Sequence, residues 1–164
     1  MARGGAVLLL IALCVLPAIV TAGRPFKNPL KVRGSVYCDA CRAGFETSKA
    51  TGIAGAKVKA ECRAKKSMEL VFSKEATTDS KGSYTFDVDE DHEDQICDVL
   101  LVSSPLEGCS KPSLGRDRAR VILTRQNGIA SDDRYANAMG FMKDQPEAEC
   151  TEILKQYQEF ENED

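Results

Sequence analysis

Apolar and polar residues alternate along several short segments of this chain, and such alternation places every second side chain on one face of a β-strand. The clearest case is residues 56–63, where Ala, Val, Ala and Cys alternate with Lys, Lys, Glu and Arg. Six further segments show alternation or a short apolar run: 32–38, 68–77, 83–88, 96–102, 119–124 and 139–142. The pattern predicts a mainly β fold, with seven or so strands in an antiparallel β-sandwich or partly closed barrel.

Only the C-terminal segment has a helical period. Cys150, Ile153, Leu154 and Tyr157 fall at i, i+3, i+4 and i+7, which makes one stripe of a helix. We therefore predict a short C-terminal helix with Cys150 on its buried side. The mostly acidic residues 159–164 are predicted to form a disordered tail.

The first 22 residues have the layout of a secretory signal peptide. Arg3 precedes an apolar run over residues 6–20, and Val20-Thr21-Ala22 offers small residues at a cleavage site. The run is about 15 residues long, whereas a membrane-spanning helix needs roughly 20; a signal anchor is the alternative. We divide the chain into signal peptide 1–22, a β domain 23–158 and tail 159–164. The mature protein is expected to be secreted to the extracellular space or cell wall, without membrane insertion.

Six cysteines follow the expected cleavage site, and an even number in a small exported domain is typical of disulfides. They are Cys38, Cys41, Cys62, Cys97, Cys109 and Cys150. Spacing alone allows fifteen pairings of six cysteines. The chain has 22 Lys and Arg against 25 Asp and Glu. This balance offers no basic stripe, so we expect no nucleic-acid partner.

Several residues could carry chemistry, and each has a structural interpretation that we prefer. Cys38 and Cys41 form a Cys-x-x-Cys pair, as in redox and zinc sites, but the pair ends a predicted strand and lacks a βαβ context. His92 is the single histidine and lies in an acidic run, so we expect it on the surface. The chain has no Trp for a sugar platform, and no pair of carboxylates has an apolar neighbourhood. We expect no catalytic residue, cofactor or metal site.

Three surfaces are candidates for a partner. Lys57, Lys59 and Arg63 lie on the outward face of the clearest strand, followed by two more lysines. The polar loop 42–55 and the acidic turn 87–95 are the other two. The acidic turn lacks the spacing of a calcium-binding loop, so we interpret it as a solvated connection between strands.

The segment around the first cysteine pair resembles the signature of a plant family. Gly34-Ser35-Val36-Tyr37-Cys38-Asp39-Ala40-Cys41-Arg42 is similar to Gly-x-Val-Tyr-Cys-Asp-x-Cys-Arg of the Ole e I family, the olive-pollen-allergen-like secreted proteins. The resemblance continues through a Thr-Asp-x-x-Gly-x-Tyr hairpin near Gly82 and the later cysteines. That hairpin also resembles those of prealbumin-type domains, which favours a two-sheet sandwich. The chain has no Asn-x-Ser/Thr sequon, unlike many relatives.

The resemblance implies both a cysteine pairing and a function. The implied disulfides are Cys38–Cys109, Cys41–Cys150 and Cys62–Cys97. The implied function is that of a non-enzymatic interaction protein, often allergenic, in pollen hydration, germination and tube growth or in cell-wall signalling. A receptor-kinase ectodomain or a cell-wall polysaccharide such as pectin is the expected partner. A protease inhibitor, with Arg42 as the contact residue, is a further alternative.

Overall fold

The computed structural model describes residues 28–161, with side chains from 28 to 158. The expected signal peptide, 1–22, lies outside these residues. The described chain forms ten strands and then one helix, with these bounds: β1 Leu30–Asp39, β2 Thr51–Gly52, β3 Lys57–Ala64, β4 Leu70–Thr77, β5 Ser83–Val88, β6 Gln95–Ser103, β7 Lys111–Pro112, β8 Arg118–Val121, β9 Asp133–Tyr135, β10 Met139–Met142 and α1 Cys150–Glu161. The helix thus extends three residues into the segment expected to be a tail.

The strands form two sheets that face each other. In the first sheet the order is β2-β1-β10-β7, and β5 and β9 also pair with β1. In the second sheet the order is β4-β3-β6-β8, with every pairing antiparallel. The mainly β sandwich expected from the sequence is confirmed. Two pairings of the first sheet, β1 with β9 and β1 with β10, are parallel and were not predicted.

The core lies between the two sheets and consists of the inward residues of their alternating strands. Val32, Val36 and Phe86 project from the first sheet, and Val58 and Val99 project from the second; each is almost fully buried. Burial of apolar side chains from both faces provides the main stabilising free energy of such a sandwich. The outward residues of β3 and β5 are polar, as the alternation requires.

A tight turn between β4 and β5 depends on Asp79 and Gly82. The Asp79 carboxylate accepts hydrogen bonds from the backbone amides of Ser83 at 2.9 Å and Lys81 at 2.8 Å. These bonds lower the pKa of Asp79. Gly82 has a φ of 81°, and a Cβ there would lie 2.5 Å from the carbonyl oxygen of Val36. Glycine is therefore required both for the left-handed conformation and for the close approach of β1.

Three disulfides cross-link the sandwich, and they join the pairs that the family resemblance implies. Cys38–Cys109 connects the end of β1 to the loop before β7. Cys41–Cys150 connects the loop after β1 to the first residue of α1. Cys62–Cys97 joins β3 to β6 at residues that are directly opposite in the sheet.

The helix packs on the loop that follows β1. Phe45 and Tyr157 make an edge-to-face ring contact with centroids 5.0 Å apart, and Lys49 forms an ion pair with Glu149. Cys150 is buried, whereas Ile153 and Leu154 are only partly buried. The helix is therefore held mainly at its first turn and along one narrow stripe.

Candidate functional site

The candidate surface lies on the side of the second sheet that faces away from the core. We call this surface the outer face. On β3 it consists of Lys57, Lys59, Glu61 and Arg63, because the alternate residues of β3 are buried. The pairing register adds these neighbours: Leu70, Ser73, Glu75 and Thr77 of β4, Ile96, Asp98 and Leu100 of β6, and Arg118 and Arg120 of β8.

The basic residues predicted on β3 do share this surface, but two of them are already paired. The Glu61 carboxylate lies 2.5 Å from Lys59 Nζ and 2.9 Å from an Arg63 guanidinium nitrogen. The hydrogen bond from Lys59, aided by the one from Arg63, lowers the pKa of Glu61. Lys57 is exposed and has no ion pair among the residues whose side chains are described. The three residues are therefore one element of a mixed-charge face.

A second ion pair on the outer face lies across β6 and β8. Arg120 Nε is 2.5 Å from the Asp98 carboxylate, and the hydrogen bond to Asp98 raises the pKa of Arg120. The Asp98 side chain is 17% exposed, whereas that of Arg120 is 60% exposed. The carboxylate is thus anchored in the sheet surface, and it holds a guanidinium that remains accessible to a partner.

Between the two ion pairs the outer face has a depression of about 270 Å³. Its apolar lining is Ile96, Leu100 and Met68, the last from the turn before β4. Its charged lining consists of Glu61, Arg63, Asp98, Arg118 and Arg120. Arginine and apolar side chains placed together in this way are typical of protein interfaces. A surface of this composition can bind a protein partner.

Sequence reasoning missed the contribution of β6 and β8 to this surface. Asp98, Arg118 and Arg120 were not identified, although Arg118 and Arg120 alternate with buried Ala119 and Val121. That alternation indicates an outward pair of arginines. Placing them beside Arg63, however, required the order of the strands in the sheet, which the sequence did not provide.

The signature segment of residues 34–42 has structural reasons for its residue types. The Asp39 carboxylate is fully buried and accepts hydrogen bonds from the backbone amides of Ala43 at 3.0 Å and Gly44 at 2.8 Å. These two hydrogen bonds fold the loop of residues 40–44 back onto the end of β1. Tyr37 covers Gly140 of β10, where an added Cβ would lie 2.8 Å from its ring.

Cys38 and Cys41 have different disulfide partners. They hold two separate parts of the chain against the end of β1 and are not a redox pair with one another in this structure. Arg42, the residue suggested for a protease inhibitor, has a φ of 54° and donates a hydrogen bond to the Asp144 carbonyl oxygen at 2.9 Å. This side chain is engaged with its own protein, which argues against its insertion into a protease pocket.

The prediction that His92 lies on the surface is wrong. His92 is 4% exposed, and its ring packs against Phe72 with centroids 4.8 Å apart. The His92 backbone amide donates a hydrogen bond to the Leu123 carbonyl oxygen at 2.8 Å. This bond holds His92 in the interior, although its acidic neighbours are exposed. Neighbouring Asp91 accepts hydrogen bonds from residues 124 and 125. The turn is therefore held against residues 123–125, which follow β8, and it is only partly solvated.

The fold and the outer face define a class of protein: a small disulfide-linked β-sandwich that can bind through a sheet surface. Within residues 28–161, no helix is both long and apolar enough to cross a membrane. A family model described as "Pollen protein Ole e 1 like" matches residues 28–158. The chain belongs to this family.

Relatives in other plants match over nearly their whole length. Pollen allergen Che a 1 of Chenopodium album is 46% identical over 160 residues, which cover 95% of each chain. Pollen-specific protein C13 of Zea mays is 40% identical and covers 94% of this chain and 91% of its own. Protein DOWNSTREAM OF FLC of Arabidopsis thaliana is 42% identical, with 91% and 90% covered.

Among solved structures, the crystal structure of the major plantain pollen allergen Pla l 1 is similar to this chain. It superposes with a TM-score of 0.64 at 27% sequence identity. The match covers 72% of this chain and 96% of that chain. The sandwich is therefore the fold of a solved pollen allergen.

Proposed function

We propose that this chain is a secreted, non-enzymatic interaction protein of pollen, which acts in hydration, germination and tube growth or in cell-wall signalling. Its outer face binds the ectodomain of a receptor kinase. Secretion is supported by the three disulfides, since these form and persist in oxidising compartments. The pollen setting is supported by the family and by the names of the relatives.

The observation that carries the proposal is the mixed composition of the outer face. Five cations and three carboxylates share this surface with Leu70, Ile96 and Leu100. A protein partner can complement charges of both signs and cover the apolar residues between them. A uniformly anionic polymer would meet Glu61, Glu75 and Asp98 as repulsive groups.

The test is a crosslinking pull-down from pistil or pollen cell-wall extract with the oxidised protein. The informative variant is Arg120→Glu, and its matched control is Arg33→Glu. Each arginine lies on a strand and pairs with a single aspartate. Arg120 is 2.5 Å from Asp98, and Arg33 is 2.7 Å from Asp133. Arg33, however, belongs to β1 of the first sheet.

We expect wild type and Arg33→Glu to capture the same receptor ectodomain, and Arg120→Glu to lose it. Equal capture by both variants would show that the outer face is not the contact. Loss in both would point to the summed charge of the protein and would also contradict the proposal.

A cell-wall polysaccharide such as pectin is the second candidate partner. The observation that favours it is exposed Lys57, which has no ion pair among the residues with described side chains. This candidate predicts retention on immobilised pectin that falls with salt, as screening of exposed charges requires. Charge reversal at Lys57, Lys59 and Arg63 together should abolish that retention. If retention persists in the triple variant, this surface does not bind pectin.

A further inference from the structure

One nitrogen of the buried histidine has no hydrogen-bond partner within the described part of the chain, residues 28–161. His92 Nδ1 lies 2.7 Å from Gln95 Oε1. The amide oxygen can only accept, so Nδ1 carries a proton, and in the neutral ring Nε2 then has the free lone pair. Nε2 is buried and makes no hydrogen bond to any residue whose side chain is described. A buried polar atom in this state calls for an explanation, and an ion bound at that atom is one such explanation.

Two sulfur atoms lie beside this histidine. A ring nitrogen of His92 and the Sγ atoms of Cys62 and Cys97 are all within 4.8 Å of one another, and all three residues are buried. The two cysteines are opposite each other on β3 and β6. His92 is held by the hydrogen bond that its backbone amide donates to the Leu123 carbonyl oxygen and by the contact of its ring with Phe72. The three groups are therefore held together by separate parts of the fold.

We propose that reduction of the Cys62–Cys97 disulfide opens a zinc site formed by Cys62, Cys97 and His92 Nε2. A dithiol reductant transfers two electrons and two protons to the disulfide, which yields two thiols and the cyclic disulfide of the reductant. Zn²⁺ then displaces one proton from each thiol and accepts the Nε2 lone pair. A water molecule completes the four ligands that zinc prefers.

The chemistry of the three groups suits this ion. Two thiolates and one imidazole match the borderline-soft character of Zn²⁺, and the two thiolate charges neutralise the dication in a buried position. Gln95 acts as the outer partner that fixes the tautomer and orientation of His92, the arrangement commonly found behind zinc-binding histidines. The site thus has ligands, charge balance and second-sphere support.

The site also has a route to solvent. A cavity of about 320 Å³ is lined by His92, Gln95 and Cys97, together with residues of the segment around Leu123. Cys97 and His92 therefore both contribute to its wall. A small dithiol and a metal ion can approach through this cavity while the two sheets remain in place.

The site is specific to one of the three disulfides. The chain contains a single histidine, so neither Cys38–Cys109 nor Cys41–Cys150 can gain an imidazole ligand. This asymmetry provides matched controls, because equal numbers of thiols can be removed at either place.

The first test is an anaerobic titration of the phosphine-reduced protein with Co²⁺, which reports thiolate ligands by its charge-transfer absorption, followed by competition with Zn²⁺. The variants are His92→Gln and the double variant Cys62→Ala/Cys97→Ala. The matched control is Cys38→Ala/Cys109→Ala. His92→Gln retains all three disulfides before reduction, so its fold can be verified by circular dichroism in the oxidised state.

We expect wild type and the control to bind one ion with two thiolate ligands. His92→Gln should bind at least about tenfold more weakly, a loss no smaller than that found for outer-sphere partners. The Cys62→Ala/Cys97→Ala variant should lose the thiolate signature. Failure of reduced wild type to bind, or equal affinity in His92→Gln, overturns the proposal.

A second measurement does not depend on the variants. Reduced wild type is alkylated with iodoacetamide with and without Zn²⁺, and each cysteine is quantified by mass spectrometry. Zinc should protect Cys62 and Cys97 and leave the other four cysteines reactive. Equal protection of all six, or of a different pair, would show that reduction produces a nonspecific thiol ligand.

Discussion

The helix α1 should depend on a single covalent bond for its position. The Cys41–Cys150 disulfide attaches its first residue to the loop after β1. Its other contacts include the ring pair of Phe45 and Tyr157 and the partly buried Ile153 and Leu154. The double variant Cys41→Ala/Cys150→Ala is therefore expected to release the helix while the two sheets remain folded.

The magnitude follows from two opposing free energies. Nucleation of an isolated helix costs about 4 kcal/mol, which corresponds to a nucleation constant near 10⁻³. Partial burial of Ile153, Leu154 and the contacting Phe45 returns about 3 kcal/mol, taken as roughly half of full burial for each. Loss of the disulfide also lowers the global stability. The bond closes a span of 109 residues, and in the chain-entropy model its removal favours the unfolded chain by about 4.8 kcal/mol. Without it, the helix should be populated in only a minority of molecules.

The assay is native-state hydrogen exchange, read residue by residue. Amides of residues 153–158 should lose protection in the variant, whereas those of β3 and β6 should remain protected at a reduced global stability. The control Cys38→Ala/Cys109→Ala, which removes the other bridge at β1, should leave the helix protected. Unchanged protection of the helix in Cys41→Ala/Cys150→Ala would refute the reasoning.

Three further predictions concern the sandwich itself. Phe86→Ala, at a core site 1% exposed, should lower the free energy of unfolding in urea by about 3–5 kcal/mol; a loss below about 1 kcal/mol would contradict the assigned packing. Gly82→Ala should cost about 1–3 kcal/mol more than Gly128→Ala in the same assay, because both glycines have φ near 80° but only Gly82 has neighbours within 4 Å of an added Cβ; equal losses would refute the close contact. Asp79 has a lowered pKa, so its folded-state value lies below its unfolded value and its contribution to stability is present at neutral pH and lost as the pH falls through the folded value. Wild type should therefore be more stable than Asp79→Ala at pH 7 and should approach it in acid, as measured by thermal unfolding across pH; a constant difference would contradict this.

The strands with a strong period could be predicted from the sequence almost residue by residue. Residues 56–63 were predicted and β3 spans Lys57–Ala64; residues 83–88 match β5. Strands β2, β7 and β9 were missed because two or three residues cannot show a period. The segment 119–124 was predicted as one strand, but β8 ends at Val121. The next inward residue, Leu123, accepts a hydrogen bond at its carbonyl oxygen from the backbone amide of His92, so it does not extend the pairing with β6.

The candidate surface was only partly predictable. Lys59, Glu61 and Arg63 are i, i+2 neighbours on one strand face, so their ion pairing follows from the sequence once the strand is assigned. The burial of His92 could not be inferred from its acidic neighbours. It depends on Phe72 and on residues 121–124, which are distant in the chain and become adjacent only after the second sheet forms.

The parallel pairings of β1 determine when the protein can complete its fold during synthesis. The first half of β1 is bordered by β5 and β9, and the second half of β1 by β2 and β10. The second sheet is complete once residue 121 has emerged, but β1 keeps an open edge until residues 133–142 arrive. A chain that stops short of them exposes unpaired amides and carbonyls along its earliest strand, the kind of edge that recruits other chains into aggregates.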